Sequence, residues 1–175
     1  MAELREVVTS RGHTGVRTYI QSGNVLFSTP ESDTAKLAAD LEAAIADAFG
    51  LAASVVVVAR DELARILDTN PYPGEPNPKF VHVVFLNVEL PPDLLDRIKA
   101  AEGAAAAKGS RDTVTAAGRV LFLHTPDGYG TSELAQLLFR VIGPPGTSGV
   151  AATARNWTTA TKLLALCEET PSEEK

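Results

Sequence analysis

Residues 55–67 read VVVVARDELARIL, and a related stretch, VAATARNWTTATK, follows 95 positions later at residues 150–162. The shared core of this match is Ala59-Arg60 on Ala154-Arg155. The same displacement places GNVLF, residues 23–27, on GRVLF, residues 118–122. One displacement that aligns two separate segments indicates an internal repeat, and a repeat constrains the architecture more than any single motif does.

Hydrophobic periodicity and turn residues predict similar elements in the two parts of the chain. The first part reads as a helix that stops at Gly12, a hairpin turning at residues 21–24, a helix that ends at Gly50, a strand at 54–58 and a helix from Asp61. The second part reads as a strand at 80–88, a helix from Pro91-Pro92 to about Gly103, an alanine-rich loop, a hairpin turning at Ala117-Gly118, a helix carrying Leu134 and Leu138, a strand at 149–154 and a final helix from Asn156. The pattern predicts an α+β fold, a tandem duplication of the ferredoxin-like (split βαβ) unit.

The first copy lacks a counterpart of the strand that opens the second, residues 80–88. That strand is central in the ferredoxin-like unit, so its loss leaves backbone N–H and C=O groups unpaired. Three explanations stay open: the true start lies upstream of Met1, another chain fills the gap, or the first sheet is rearranged. The second explanation includes a homodimer formed through the incomplete sheet.

Four prolines and a glycine within ten residues mark 70–79, NPYPGEPNPK, as a connector. We therefore expect a first half at residues 1–69, the connector, a second half at 80–167, and an acidic flexible tail at 168–175.

Bulk composition predicts an ordinary globular protein of the cytoplasm. The chain has 175 residues, 45% of them hydrophobic, and neither a signal core nor an apolar run long enough to span a membrane. Its net charge of −6 disfavours nucleic acid and anionic membranes as partners. The single cysteine, Cys167, agrees with a reducing compartment. We place it on the buried face of the last helix beside an acidic tail, where a thiolate nucleophile is disfavoured.

Three blocks resemble the family called domain of unknown function 1697: VRTYIQSGNVLFS at 16–28, DGYGTSELAQLL at 127–138 and VAATARNWTTATKLLAL at 150–166. The resemblance implies two ferredoxin-like halves in tandem. It also implies a strand and a glycine-containing loop before a helix whose start matches MAELREVV, residues 1–8, so this chain looks N-terminally truncated. Family members often carry basic residues where this chain has Thr131 and Glu133. The family brings no established activity.

Two polar blocks are the candidate ligand-binding residues. Tyr19, Gln21, Ser22 and Asn24 surround a glycine turn and offer more polar groups than the plain turn at 116–119, although turn conformation alone also explains them. Arg155, Asn156 and Trp157 lie where a strand meets a helix start, a place suited to a phosphate or carboxylate. The alternative is that Asn156 only caps the helix and Trp157 only packs in the core.

No other constellation predicts chemistry. The three histidines, His13, His82 and His124, are scattered without the spacing of metal ligands, so neither a metal nor a cofactor is expected. The leading hypothesis is a non-enzymatic module that binds a small anionic or nucleotide-like ligand, or a protein partner. The alternative is an enzyme whose site needs the missing N-terminal glycine loop.

Overall fold

The structure, a computed structural model, describes residues 1–143 and 149–169. Within them the helices and strands follow in the order α1 (Ala2–Ser10), β1 (Thr14–Tyr19), β2 (Asn24–Ser28), α2 (Thr34–Phe49), α3 (Arg60–Asp68), β3 (Val81–Leu86), α4 (Pro92–Ala107), β4 (Thr113–Ala117), β5 (Val120–His124), α5 (Glu133–Ile142), β6 (Ala152–Asn156) and α6 (Trp157–Glu168). None of the helices in these residues is long and apolar enough to cross a membrane.

The strands form two antiparallel sheets. The first is the hairpin of β1 and β2, and the second has the order β4-β5-β3-β6. β3 is central in the second sheet, antiparallel to β5 on one edge and to β6 on the other. This mixture of helices and antiparallel sheets confirms the predicted α+β class.

The second sheet is covered on both faces. On one face, alternate residues of β3 and β5 pack against α4 and α5 in a cluster that includes Val84, Leu86, Leu121, Leu94, Ile98 and Leu138. On the other face, Val83, Phe85 and Phe122 pack against Leu63, Ile66 and Leu67 of α3 and Ala160 of α6. Because α3 precedes the connector, one core cluster joins residues from before and after it.

Local signals set the ends of α2. The Asp33 carboxylate accepts hydrogen bonds from the N–H groups of Ala35 (2.9 Å) and Lys36 (3.1 Å), as an N-cap does. Gly50 ends the helix with φ of 65°, a conformation that glycine adopts without the steric cost of a Cβ. Between these ends Leu37 and Leu41 are buried, so the predicted helix is confirmed with its apolar face inward.

The predicted strand at 54–58 is wrong, because residues 51–59 adopt neither helix nor strand. Val55–Val58 has the β-branched composition of a strand, but a strand needs a hydrogen-bonded neighbour. No strand among residues 1–143 and 149–169 pairs with this segment.

The predicted alanine-rich loop after Gly103 is also wrong. Helix α4 runs through Gly103 to Ala107. Alanine has the highest helix propensity, and a run of four alanines outweighs the cost of roughly 1 kcal/mol for one glycine. Ala101 and Ala105 face the core and fix the helix there.

Smaller corrections concern the C-terminal part. The last strand is Ala152–Asn156 rather than 149–154, so Arg155 and Asn156 belong to it. Cys167 is an exposed residue rather than a buried one, although partial burial of its thiol raises the pKa of that group. Glu168 still belongs to α6, and the rest of the predicted tail after Glu169 lies outside the described residues.

Candidate functional site

Arg155, near the end of β6, reaches the turn between β1 and β2. Its Nε donates to Oδ1 of Asn24 at 2.5 Å, and its Nη2 donates to the carbonyl oxygen of Ser22 at 3.0 Å. The two polar blocks that the sequence singled out separately therefore meet across 131 positions of the chain.

Asn24 is held in one orientation by its neighbours. Its Nδ2 donates to the hydroxyl of Ser22 at 2.8 Å and to the carbonyl of Tyr19 at 3.3 Å. These acceptors leave Oδ1 to face Arg155, which has only donors, so the amide cannot turn round without losing bonds at both ends. Asn24 is only 6% exposed, which makes such a loss costly.

The remaining donors of Arg155 also meet neutral oxygens. Its Nη1 donates to the hydroxyl of Thr153 at 2.6 Å and to the carbonyl of Ala154 at 2.8 Å. Among residues 1–143 and 149–169, no carboxylate lies within ion-pairing distance of its guanidinium. Partial burial lowers the pKa of Arg155, but an arginine stays protonated in a protein. We call this cluster of Ser22, Asn24, Thr153 and Arg155 the Arg155 junction; it holds a positive charge for which the described residues supply no counter-ion.

The other predicted site residues take different places. Asn156 caps α6, its Oδ1 accepting the N–H of Thr159 at 2.8 Å. Trp157 packs against the core cluster beneath α3 and α6. Gln21 is exposed in the turn, and Tyr19 contributes a carbonyl oxygen rather than its ring. The structure thus brings together Ser22, Asn24 and Arg155, with the Tyr19 backbone beside them.

A second junction, at Arg119, was missed by the sequence reading. Arg119 follows Gly118 in the β4–β5 turn and occupies the repeat position of Asn24. It binds Glu62 through two bonds, Nε to Oε1 at 2.5 Å and Nη2 to Oε2 at 2.6 Å. It also donates to the carbonyls of Val57 (2.9 Å) and Leu86 (3.3 Å). The hydrogen bond from Arg119 holds the pKa of Glu62 below its usual value.

We call the group of Val57, Glu62, Leu86 and Arg119 the Arg119 junction. It is the reciprocal of the Arg155 junction: Arg119, after the turn glycine Gly118, contacts Glu62 in the first turn of α3, and Asn24, after the turn glycine Gly23, contacts Arg155 just before α6. The repeat itself was a signal for it, because Arg119 aligns with a residue that the sequence analysis had selected.

The start of α5 does not offer an anion site. Its first-turn residue Glu133 pairs with Lys108, and nearby Asp127 pairs with Arg111. The hydroxyl of Ser132 caps the helix by accepting the N–H of Ala135 and donates to the buried Asp112. The acidic groups around this helix end oppose a second negative charge.

The histidines lie apart, each against an aromatic ring. His13 packs on Phe27, His82 on Tyr129 and His124 on Tyr72. Burial lowers the pKa of His82 to about 4, so its ring is neutral at pH 7. In the described part of the chain no three histidine, cysteine, aspartate or glutamate side chains converge as metal ligands.

Residues 1–122 match the sequence pattern of the family described as "Protein of unknown function (DUF1697)". The chain belongs to this family. The match covers more than half of the sequence and confirms the family resemblance; of the three blocks, only 16–28 lies within the matched residues. A search of curated proteins finds no significant match.

A solved structure of the same overall fold is that of the conserved bacterial protein SP0830 from Streptococcus pneumoniae. It superposes with a TM-score of 0.67 and 20% sequence identity, over 97% of this chain and 89% of the other. At this identity the likeness concerns the fold alone.

Proposed function

We propose that the protein is a binding module that holds a small anionic or nucleotide-like ligand at the Arg155 junction. The observation that carries the proposal is the charge of Arg155, which no carboxylate in residues 1–143 and 149–169 compensates. Its hydrogen-bond partners are amide, hydroxyl and carbonyl oxygens, which orient the guanidinium but leave its charge in place. A partly buried cation in a medium of reduced dielectric attracts an anion more strongly than an exposed one does.

The reciprocal junction supports this reading. There the arginine crossing between the halves is neutralised by a carboxylate of the chain, Glu62. At the Arg155 junction the corresponding partner is Asn24, which has nearly the shape of aspartate but no charge. An external phosphate or carboxylate would supply the charge that Glu62 supplies at the Arg119 junction.

A binding role is preferred over catalysis because the partners of Arg155 lack an acid or base. Within the described ranges its hydrogen-bonded neighbours are Ser22, Asn24, Thr153 and Ala154. None of these groups titrates near neutral pH, so no general acid or base is in place.

The proposal includes an architecture of two ferredoxin-like halves, residues 1–69 and 80–167, joined by the connector at 70–79, in a cytoplasmic protein. The order β4-β5-β3-β6, with α4 and α5 on one face, supports the ferredoxin-like description of the second half. Asn24 and Arg119 are related by the 95-residue displacement, and each contacts the segment around the start of α6 or α3, respectively, which supports the duplication.

Isothermal titration with inorganic phosphate, acetate and ADP tests the function. We expect at least one of these anions to bind the unmodified chain and to lose about tenfold or more in affinity in Arg155→Gln, since a charged hydrogen bond contributes roughly 1.5–3 kcal/mol. Arg60→Gln is the matched control, because Arg60 is the repeat counterpart of Arg155 and is exposed beside Asp61.

Asn24→Asp separates a charge effect from a loss of structure. This nearly isosteric change places a carboxylate against Arg155, and we expect it to abolish anion binding in a chain that still melts cooperatively by circular dichroism. The proposal fails if none of the three anions binds the unmodified chain, or if binding survives in Arg155→Gln.

A further inference from the structure

Ser22 contacts the rest of the Arg155 junction through both its backbone and its side chain. Its carbonyl oxygen accepts from Nη2 of Arg155 at 3.0 Å, and its hydroxyl accepts from Nδ2 of Asn24 at 2.8 Å. Asn24 in turn accepts from Nε of Arg155 at 2.5 Å. A single amide group therefore separates the hydroxyl oxygen of Ser22 from the guanidinium.

The hydroxyl of Ser22 is open to chemistry from solvent. Ser22 is exposed in the turn between β1 and β2. Its hydroxyl acts only as an acceptor, and its own proton has no partner among residues 1–143 and 149–169. An enzyme that approaches this turn can reach the oxygen without unfolding the chain.

Arg155 retains one donor that the described residues do not use. A guanidinium has five N–H donors. Four of them bind oxygens: one from Nε, two from Nη1 and one from Nη2. The second proton of Nη2 has no partner in the described ranges. Because Nη2 is also the nitrogen that binds the carbonyl of Ser22, this spare donor lies beside residue 22.

The two segments that build the junction contain no acidic residue. The chain has 22 aspartates and glutamates, but none of them lies in residues 7–30 or in residues 134–167. These segments carry only positive charges, on Arg11, Arg17, Arg140, Arg155 and Lys162. A negative group added at the junction therefore meets no like charge from either segment.

The repeat provides a contrast at the same position of the other half. The 95-residue displacement aligns Ser22 with Ala117, which has no hydroxyl. The arginine of that turn, Arg119, is already neutralised by Glu62. The modifiable hydroxyl thus belongs to the turn whose arginine has no carboxylate partner among the described residues.

We propose that Ser22 is a phosphorylation site whose phosphate binds Arg155. A protein kinase would supply a nucleoside triphosphate. The hydroxyl oxygen of Ser22 would attack the terminal phosphorus, the bond from that phosphorus to the nucleoside diphosphate would break, and the hydroxyl proton would pass to the base of the kinase.

The phosphate would act at the Arg155 junction as Glu62 does at the Arg119 junction. It carries a charge of about −2 and three acceptor oxygens, which suit the spare proton of Nη2 and the amide of Asn24. The modification would also regulate the anion site, a part of the inference that rests on the proposed function, because the attached phosphate would exclude a free anion.

Phosphorus NMR tests the contact in the full chain with genetically encoded phosphoserine at position 22. The second pKa of phosphoserine is ordinarily about 6. We expect it to be lower by about 0.5 or more in the folded chain than in the urea-unfolded chain, because a guanidinium favours the dianion. Arg155→Gln should remove this difference. Phosphoserine at Ser28, the exposed end of β2, is the matched control, and Arg155→Gln should leave its pKa unchanged.

Mass spectrometry of the chain purified from the cells that make it, with phosphatase inhibitors present, tests the modification itself. Trypsin releases residues 18–36 as one peptide, and fragmentation separates Ser22 from Ser28 and Ser32. We expect phosphate on Ser22. Its absence from both growing and starved cells overturns the proposal, and so does a phosphoserine 22 that titrates alike in the folded, unfolded and Arg155→Gln chains.

Calorimetry separates this inference from the proposed function. Phosphoserine at position 22 should weaken at least about tenfold the binding of any anion that the unmodified chain binds, and an unchanged affinity overturns the regulatory role. If the unmodified chain binds none of phosphate, acetate and ADP, the proposed function fails. A lowered phosphoserine pKa that depends on Arg155 would still support the modification site in that case.

Discussion

Arg119 and Arg155 both cross from one half of the chain to the other, and both are partly buried, but their surroundings differ in charge. Arg119 donates two hydrogen bonds to the carboxylate of Glu62, while Arg155 donates to the side-chain oxygen of Asn24 and to carbonyl and hydroxyl oxygens. One junction is an ion pair within the chain; the other is an oriented cation with no carboxylate partner in the part of the chain that the structure describes. Two arginines that make similar long-range contacts therefore differ in whether the described residues supply a carboxylate to neutralise them.

The largest expected difference is in the free energy of unfolding, between variants of Phe122 in β5 and of its repeat counterpart Phe27 in β2. Phe122 is fully buried, and Phe122→Ala should cost about 4 kcal/mol of unfolding free energy through lost burial and a cavity. Phe27→Ala should cost about 2 kcal/mol or less, because Phe27 is only partly buried. Urea denaturation of both variants measures the difference, and equal losses would contradict the claim that only β5 is covered on both edges.

Breaking the closed ion pair should have the next largest effect. Arg119→Ala removes the partner of Glu62 and two carbonyl contacts, and we expect a loss of about 2 kcal/mol, below the range for fully buried pairs because both side chains keep some exposure. Arg60→Ala, which breaks an exposed pair with Asp61, should not change the denaturation midpoint. Similar midpoints for the two variants would show that the Arg119 junction contributes little.

The N-caps of α3 and α6 give a smaller expected difference in stability. Asn156 caps α6 with its side chain, whereas Ala59 precedes α3 in a similar extended conformation without a capping side chain. Asn156→Ala should cost about 1 kcal/mol, and Ala59→Asn should add about 1 kcal/mol or less. Thermal melts followed by circular dichroism measure both changes. A loss of stability in Ala59→Asn would contradict the claim that α3 lacks a capping side chain at residue 59.

The smallest expected effect is on the pH dependence of stability. It isolates the electrostatic contribution of the Glu62–Arg119 ion pair. The pKa of Glu62 is lowered from 4.5 by the hydrogen bond from Arg119, so this carboxylate stabilises the fold above about pH 4.5, and its contribution is lost as the pH falls through the lower native value. Glu62→Gln should therefore flatten the decline of the urea midpoint as the pH falls below about 4.5, relative to the unmodified chain. Parallel declines would mean that Glu62 titrates alike in the folded and unfolded states.

Local signals predicted most of the elements. Gly50 ends α2 and Gly118 forms the β4–β5 turn with positive φ, as glycine permits, and the apolar spacing of α2 and α5 is reproduced in their buried residues. The segment at 54–58 failed because strand formation depends on a neighbour that local sequence does not reveal. The helix after Gly103 was cut short because a glycine was given more weight than the alanines that follow it.

The candidate site was predicted in its parts but not as a unit. Asn24 and Arg155 were chosen for their places at a turn and at a helix start, and their contact depends on how the two halves pack. Arg119 was passed over because its turn looked plain, although a long side chain with five donors can bind groups that are distant in sequence. The 95-residue displacement aligns Asn24 with Arg119. Only the packed structure shows that Asn24 contacts Arg155 and that Arg119 contacts Glu62.

The proline-rich connector has a consequence for attempts to cut the protein in two. Tyr72 stacks on His124 and bonds to hydroxyls of Thr113 and Thr115, while Glu75 binds His124. A protease that recognises unfolded loops should therefore cleave this stretch slowly despite its composition. A gene fragment ending within it would also leave the leucines of α3 without the sheet they cover, so separately expressed halves should aggregate unless they are produced together.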